Sequence, residues 1–402
     1  DEVKLTPPNP SEYFFGVSSD FDFDKEKSSL LANLDFLKGL SSEEYTFYKK
    51  WVELQSEEYN GFGDKPGIIK AKIWKPEDIN DEEKIVKEIE DLQPRVVLVD
   101  NDRLEMEWLI ARVFCHTMEF DQTPGRFLKY LVLDQNDRIL GVYSVASDVI
   151  CITTRDQYIG WSSDNKLVNK RLANSAIGSC IMSTQPMGYN FNGGRLCAGL
   201  ITTETIRDSW RRSYGDTLVG MTTTSLYGRP SMYDGVRHWW HCCGESTGKM
   251  PIKPNEKEYK KWHDWIKDNC KVEYDKAMLQ KEGVSGPVTS AKSRVLSMIN
   301  NATKIKQSDY VHGYKRGVYY SSFYENTKDF LCNRIEEKDL KMKSIFQNGV
   351  SGVTNWWKPK AIERYKKLKV EGKLKPEILY YYPMIGMKYE EAKEKYYKEV
   401  GR

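Results

Sequence analysis

The chain has no uninterrupted apolar run near the ~20 residues that a membrane span requires, so no membrane-spanning helix is expected within it. It has only five histidines, and no pair of Cys/His clusters has the spacing of a zinc finger. Its eight cysteines (Cys115, Cys151, Cys180, Cys197, Cys242, Cys243, Cys270, Cys332) are scattered, which predicts free thiols rather than a disulfide framework. No cleavable export signal is recognisable, and with reduced thiols this makes the cytoplasm the expected compartment. An ATPase phosphate loop is missing as well. GESTGK (residues 244–249) has three residues between its glycines where that loop needs four, and Met250 follows the lysine where Ser or Thr would hold Mg²⁺. What remains there is a Gly-rich turn able to offer backbone N–H groups to an anion. No internal repeat is found.

What the chain does have is the composition of a soluble globular protein, 40% hydrophobic and 30% charged, spread over 402 residues. That length predicts two or three units. The overall charge of +3 conceals a gradient: −12 over residues 1–110, +3 over 111–250 and +12 over 251–402. A basic, aromatic-rich C-terminal third suits a polyanionic partner, because each phosphate contact releases a counterion. Lys/Glu helices that merely solvate a surface would produce the same count. The acidic N-terminal region is either self-shielding or a face for a protein partner.

The opening LTPPNPSEYFF reads as an extended arm. Apolar spacing over residues 30–54 predicts helix, with SSEE (residues 41–44) as a start signal. GFGDKPG (residues 61–67) reads as a loop, DEEKIVKEIEDL (81–92) as a charged helix, RVVLVDN (95–101) as a strand or linker, and EMEWLIARVFCHTM (105–118) as helical at its start. Residues 126–161 form two strand-like runs around a QND turn and then a third run, a hairpin or meander. Residues 164–182 are helical at their start, 193–215 form an amphipathic helix and 217–228 a further strand. Helices are also expected near 291–302 and at EEAKEKYYKEV in the Lys/Tyr-rich end. GVSGPVTS reads as a turn, and residues 312–331 as strand-like. The division expected is an acidic, mainly helical region (1–104), a core of sheet and helices (105–250) and a basic aromatic-rich region (251–402).

The densest stretch is SMYDGVRHWWHCCGESTGK (residues 231–249), with three aromatics, two histidines, two cysteines and three glycines. Packing alone seldom needs that density, and the stretch reads as the mouth of a pocket. His238, His241, Cys242 and Cys243 suit zinc or iron by chemistry, but adjacent cysteines rarely serve one ion. A buried aromatic strand with incidental thiols is the favoured reading, and no metal is expected. His116, in CHTMEF, has the reference pKa suited to a general base. Arg155 and Asp156, in RDQYIGW, either take part in a site or close a turn.

An ordered series connects these pieces: ARVFCHTM, FLKYLV with ILGVYSVAS, RDQYIGW, VNKRLANSA, SWRRSYG, and residues 231–249. The series resembles the Druantia protein A family and, more distantly, the phage Mom-type DNA-modification proteins, both related to GNAT-like acyltransferases. It covers roughly residues 105–250. The resemblance implies an α/β (α+β) fold: a GNAT-like mixed sheet flanked by helices, with a largely helical N-terminal extension and a basic aromatic-rich C-terminal region. It implies a DNA-acting transferase that adds a small acyl-derived group to a base, with acyl-CoA or another acyl donor. In that picture His116 is base or ligand, Asp156 orients it, and Ser231 and Tyr233 contact the reacting group. Arg155, Trp161, Asn174, Trp239, Trp240, Thr247 and Lys249 hold substrate or donor, the tryptophans as pocket walls. The sequence departs from the pattern at His116–Glu119 and at Arg237–His238, and it carries no acyl-CoA pyrophosphate turn. Those departures favour a second reading, a non-enzymatic DNA-recognition subunit of an antiphage or counter-defence complex.

Overall fold

The computed structural model describes residues 20–56, 65–121, 124–226, 228–279, 290–313, 315–376, 381 and 384–400. Contacts divide the chain into two compact units, one of residues 1–52 and 248–314, the other of residues 53–247 and 315–402. The basic C-terminal third is shared between them, +4 in residues 251–314 and +8 in 315–402.

The strands are β1 (Arg95–Leu98), β2 (Phe127–Leu133), β3 (Ile139–Ser147), β4 (Ser175–Ser183), β5 (Gly220–Thr224), β6 (His241–Glu245), β7 (Met250–Pro251), β8 (Val311–His312) and β9 (Gly317–Ser322). Seven of them form one sheet in the order β1-β2-β3-β4-β5-β9-β6. Only the β4–β5 pair is parallel, so the sheet is mixed, and helices flank it. The mixed sheet with flanking helices expected from the order of elements is present.

The β2–β3 hairpin turns where QND predicts. Asp134 accepts the N–H groups of Asn136 and Arg138 at 2.9 and 2.8 Å, an Asx-type lock on the turn. Nearly continuous burial of β3 reflects cover on both faces, which its apolar run ILGVYSVAS supplies. One face carries the main core. There Ile85 and Ile89 of helix Glu82–Asp91, Leu196 and Leu200 of helix Gly193–Leu200, and Trp357, Ala361 and Tyr365 of helix Gly349–Val370 close over Tyr130, Val132 and Tyr143. Most buried polar groups in a core find a partner, and two buried indoles do so here, whereas Trp210 Nε1 finds none among the described residues. Trp108 Nε1 donates to Tyr143 O at 2.8 Å, and Trp240 Nε1 to Ala198 O at 2.7 Å. A smaller core on the other face joins Ile159, Trp161, Val219, Tyr320, Phe330 and Leu331.

Four elements differ from the sequence reading, one of them the strand-like run 312–331, which holds β9 and then helix Thr327–Leu331. The third strand-like run after β3 is helix Thr153–Ile159, because β4 takes the place beside β3. The single helix expected over 193–215 is two, Gly193–Leu200 and Glu204–Tyr214. The hydroxyls of Thr202 and Thr203 donate back to Gly199 O and Leu200 O at 2.7 and 2.6 Å, competing with the backbone ladder at the break. Lys65–Gly67, read as loop, open helix Lys65–Lys72, where Pro66 falls in the first turn and costs no ladder bond. The Pro-rich opening, residues 61–64 and residues 283–289 lie outside the described residues.

In the smaller unit, helices Phe23–Gly39, Glu256–Asn269 and Ala291–Thr303 bury Leu34, Leu37, Trp262, Ile266, Val295 and Ile299 together, beside the two-stranded antiparallel sheet of β7 and β8. His312 on β8 shares a hydrogen bond with Leu37 O at 3.0 Å. Among the described residues no helix is long and apolar enough to cross a membrane.

Candidate functional site

Successive residues on a strand face opposite sides of a sheet. On β9 this rule separates the candidate residues into two groups, one around Tyr319 and the other around Tyr320.

The Tyr320 group contains the RDQYIGW segment. Arg155 is fully buried, and its guanidinium binds Asp148 at 2.7 Å and Asp156 at 2.8 Å. Lys166 Nζ completes the set at 2.6 Å from the second oxygen of Asp156. The other oxygen of Asp148 accepts hydroxyls from Ser175 at 2.6 Å and Thr222 at 2.7 Å, and the Tyr320 hydroxyl lies 3.1 Å from Ser175 Oγ. Two carboxylates thus face two cations. Burial opposes the Arg155 charge, but Asp148 and Asp156 outweigh it and hold its pKa above the ordinary guanidinium value. Trp161 lies beneath both cations, its ring centroid 5.1 Å from the Arg155 guanidinium and 5.7 Å from the Lys166 ammonium.

Two further residues of the motif have mechanical roles. Ile159 enters the smaller core, and Gly160 ends the helix at φ +77°, a left-handed position that glycine adopts without strain. Gly220 serves the same cluster from β5. A Cβ there would sit 2.3 Å from the Tyr320 hydroxyl, so only glycine lets that ring cross the sheet to Ser175. Asn174 is buried beside them and donates from Nδ2 to Thr217 O at 2.9 Å, fixing the entry to β4.

The Tyr319 group contains the start of the aromatic stretch. Ser231 and Asp234 form a capping box on the 3₁₀ turn Met232–Gly235. The Ser231 hydroxyl donates to Tyr319 Oη at 2.8 Å, and the Tyr319 hydroxyl donates to Asp234 at 3.0 Å. Arg229 reaches the other oxygen of Asp234 at 2.9 Å. Tyr233 is buried against Trp240 and Tyr319, with ring centroids 5.4 and 5.0 Å away. Burial pushes the Tyr233 phenol well above its ordinary pKa. Trp239 is also buried, with its ring edge-on to Trp356 at 4.9 Å.

The remaining candidates join neither group through a described bond. His116 caps helix Asp102–Cys115 and accepts the Met118 N–H on Nδ1 at 2.9 Å. Thr247 is exposed after β6, and Lys249 is exposed in the other unit. Cys242 and Cys243 pack on opposite faces of the sheet, as adjacent strand residues should, and burial raises the Cys243 thiol to about 12. Among the described residues no set of three or more His, Cys, Asp or Glu is placed to hold a metal ion. Among the described residues no disulfide is formed.

Residues 52–333 match the sequence profile of the family described as Druantia protein DruA. The chain belongs to the Druantia DruA family. A relative with that description from Escherichia coli (strain UMEA 4076-1) is 27% identical over 262 residues, 59% of this chain and 61% of the relative. The chain therefore spans about three fifths of the length of the curated DruA protein it matches. No solved structure matches it.

Sequence reasoning missed Asp148, Lys166, Ser175, Thr222 and Tyr320, the partners that give Arg155 and Asp156 their surroundings. One signal was available. Ser175 and Thr222 are polar residues at strand positions buried on both sides, and buried hydroxyls need a partner.

Proposed function

We propose that this chain serves antiphage defence as a DNA-recognition subunit and does not itself modify a base. Membership of the Druantia DruA family supports the defence role. The observation that carries the non-enzymatic reading is the engagement of the side chains a transferase would use. Asp156 is held by Arg155 and Lys166, Ser231 by a cap and Tyr319, and Tyr233, Trp239 and Trp240 by the core. The sheet also stands between Asp156 and Ser231, so one substrate atom cannot meet both.

DNA binding in this reading depends on local charge. Each unit is nearly neutral, +1 for the smaller and +2 for the larger, so there is little overall field to steer a polyanion. The test combines two measurements. DNA from cells expressing the protein, digested to nucleosides and examined by mass spectrometry, contains no new nucleoside, while the purified chain binds DNA with an affinity that falls steeply with salt. A new nucleoside overturns the non-enzymatic reading, and a flat salt response overturns DNA recognition.

One observation favours the second reading, a base-modifying transferase. The Ser231–Tyr319–Asp234 chain of hydroxyls and carboxylate offers a proton route beside exposed Arg229. Under that reading a new nucleoside forms in cells and disappears with Ser231→Ala.

A further inference from the structure

The Tyr320 face has a second feature outside the buried cluster. On edge strand β6, His241 is exposed, and its ring stacks on that of Tyr158 with centroids 4.0 Å apart and planes 14° apart. The Lys328 ammonium sits 3.6 Å from the centroid of the same Tyr158 ring. Lys341 and Lys343 flank Met342, whose antiparallel bridge to Tyr324 fixes them beside the end of β9.

Among the described residues, none of these three lysines forms an ion pair. The acidic groups near them are Asp329, held 3.3 Å from Arg334, and Glu325. The groups feel one another. Burial and then Lys328 and Lys343 draw the His241 pKa below its ordinary value. Burial and Lys328 do the same to Lys343, against the opposing pull of Glu325. Charges gathered without compensation are costly to the fold, and a bound anion would relieve the repulsion.

We propose that this patch is a subsite for single-stranded DNA, with one base stacked on His241 and the adjoining phosphates on Lys328, Lys341 and Lys343. It rests on the DNA-recognition reading and names where that recognition occurs. A cationic surface beside an exposed, pre-stacked aromatic ring is the arrangement that single strands use. A duplex keeps its bases stacked internally and offers His241 no ring. Tyr158 holds one face of the imidazole, so the platform is rigid before the base arrives.

Fluorescence anisotropy of the full chain tests this, using a labelled oligonucleotide of about 12 bases, alone and as a blunt duplex, between about 50 and 200 mM salt. Lys328→Gln with Lys343→Gln lowers single-strand affinity about tenfold or more. It also flattens the salt slope by about 1.4, about 0.7 for each lost phosphate contact. His241→Ala lowers single-strand affinity at least about fivefold, leaves the slope unchanged and barely affects the duplex. The control pair Lys271→Gln and Lys276→Gln, two exposed lysines of helix Lys271–Met278, removes the same charge and leaves the slope close to that of the unaltered chain. An unchanged thermal unfolding midpoint in each variant shows that binding, not folding, is being read.

If the unaltered chain binds no DNA, the recognition reading and the subsite both fall. If it binds but the patch variants match it or the control pair, the subsite alone falls. Equal displacement by polyglutamate, with His241→Ala without effect, would assign the patch to an acidic protein instead.

Discussion

The two charged regions on the Tyr320 face both set cations beside aromatic rings and treat charge in opposite ways. Around Arg155, two cations meet two carboxylates, and the remaining acceptor positions of Asp148 are filled by Ser175 and Thr222. Around His241, three lysines gather with no ion pair among the described residues. A buried charge persists only when its partners are present, so the first region is a fastening for the sheet. A partly exposed excess of one sign adds nothing to the stability of the fold and can cost it a little, and its natural complement lies outside the chain. Compensation, more than the presence of titratable residues, separates scaffold from surface here.

The largest expected effect breaks that contrast directly. Arg155→Met keeps the volume and leaves Asp148 without its cation, so the larger unit should lose about 3–5 kcal/mol, read as a lower urea midpoint. Arg155→Lys should recover only part of the loss, because an ammonium cannot bridge Asp148 and Asp156 as the planar guanidinium does. Lys343→Met at the rim should leave stability unchanged or slightly raised. Equal losses at the two positions would show that the rim is as structural as the cluster.

Gly220→Ala probes how tightly the buried region is assembled. The new methyl would overlap Tyr320 at a separation of 2.3 Å from its hydroxyl, with β5 and β9 paired on either side. A loss of about 1–3 kcal/mol is expected in the same urea assay, as for overpacking of a dense core. A smaller decrement, about 1 kcal/mol, is expected for Ser231→Ala, which removes the cap of the turn Met232–Gly235 on the opposite face. A Ser231→Ala loss as large as that of Arg155→Met would mean that the hydroxyl chain fastens the sheet as strongly as the ions do.

The fold was legible where local chemistry decides it. Asp81 and Asn101 cap the helices that follow them, QND turns the β2–β3 hairpin, and the long apolar runs of β2 and β3 became central strands. It was illegible where two segments far apart in sequence compete for one place. The run after β3 has strand composition, yet β4 occupies the position beside β3 and the run closes into a helix around Arg155. The candidate site was legible as motifs but not as an arrangement. The family resemblance marked Arg155, Asp156, Ser231 and Tyr233 without showing that the sheet divides them, because that depends on the alternation of Tyr319 and Tyr320 on a strand about 90 residues downstream of Ser231. Lys328 and Lys343 carried no signal at all, since a lysine in sequence does not reveal whether a carboxylate lies beside it.

The smallest effect concerns pH, and it has opposite signs in folding and in binding. His241 faces Tyr158, Lys328 and Lys343, and its folded pKa lies below the ordinary 6.5. The unfolded chain therefore takes up the proton first, so this residue's contribution to stability is complete above about pH 6.5 and is lost as pH falls through the folded value. Bound phosphate reverses the preference, because it favours the imidazolium, and single-strand affinity should rise over the same interval. Thermal midpoints and anisotropy at about pH 5.5 and 7.5 would read both trends. His241→Gln should remove the binding trend and reduce the stability trend, of which His312, also held below its ordinary value by burial, keeps a share. If acidification weakened binding, or if the binding trend survived the substitution, His241 would lie outside the anion's reach and the rim would be an ordinary solvated surface.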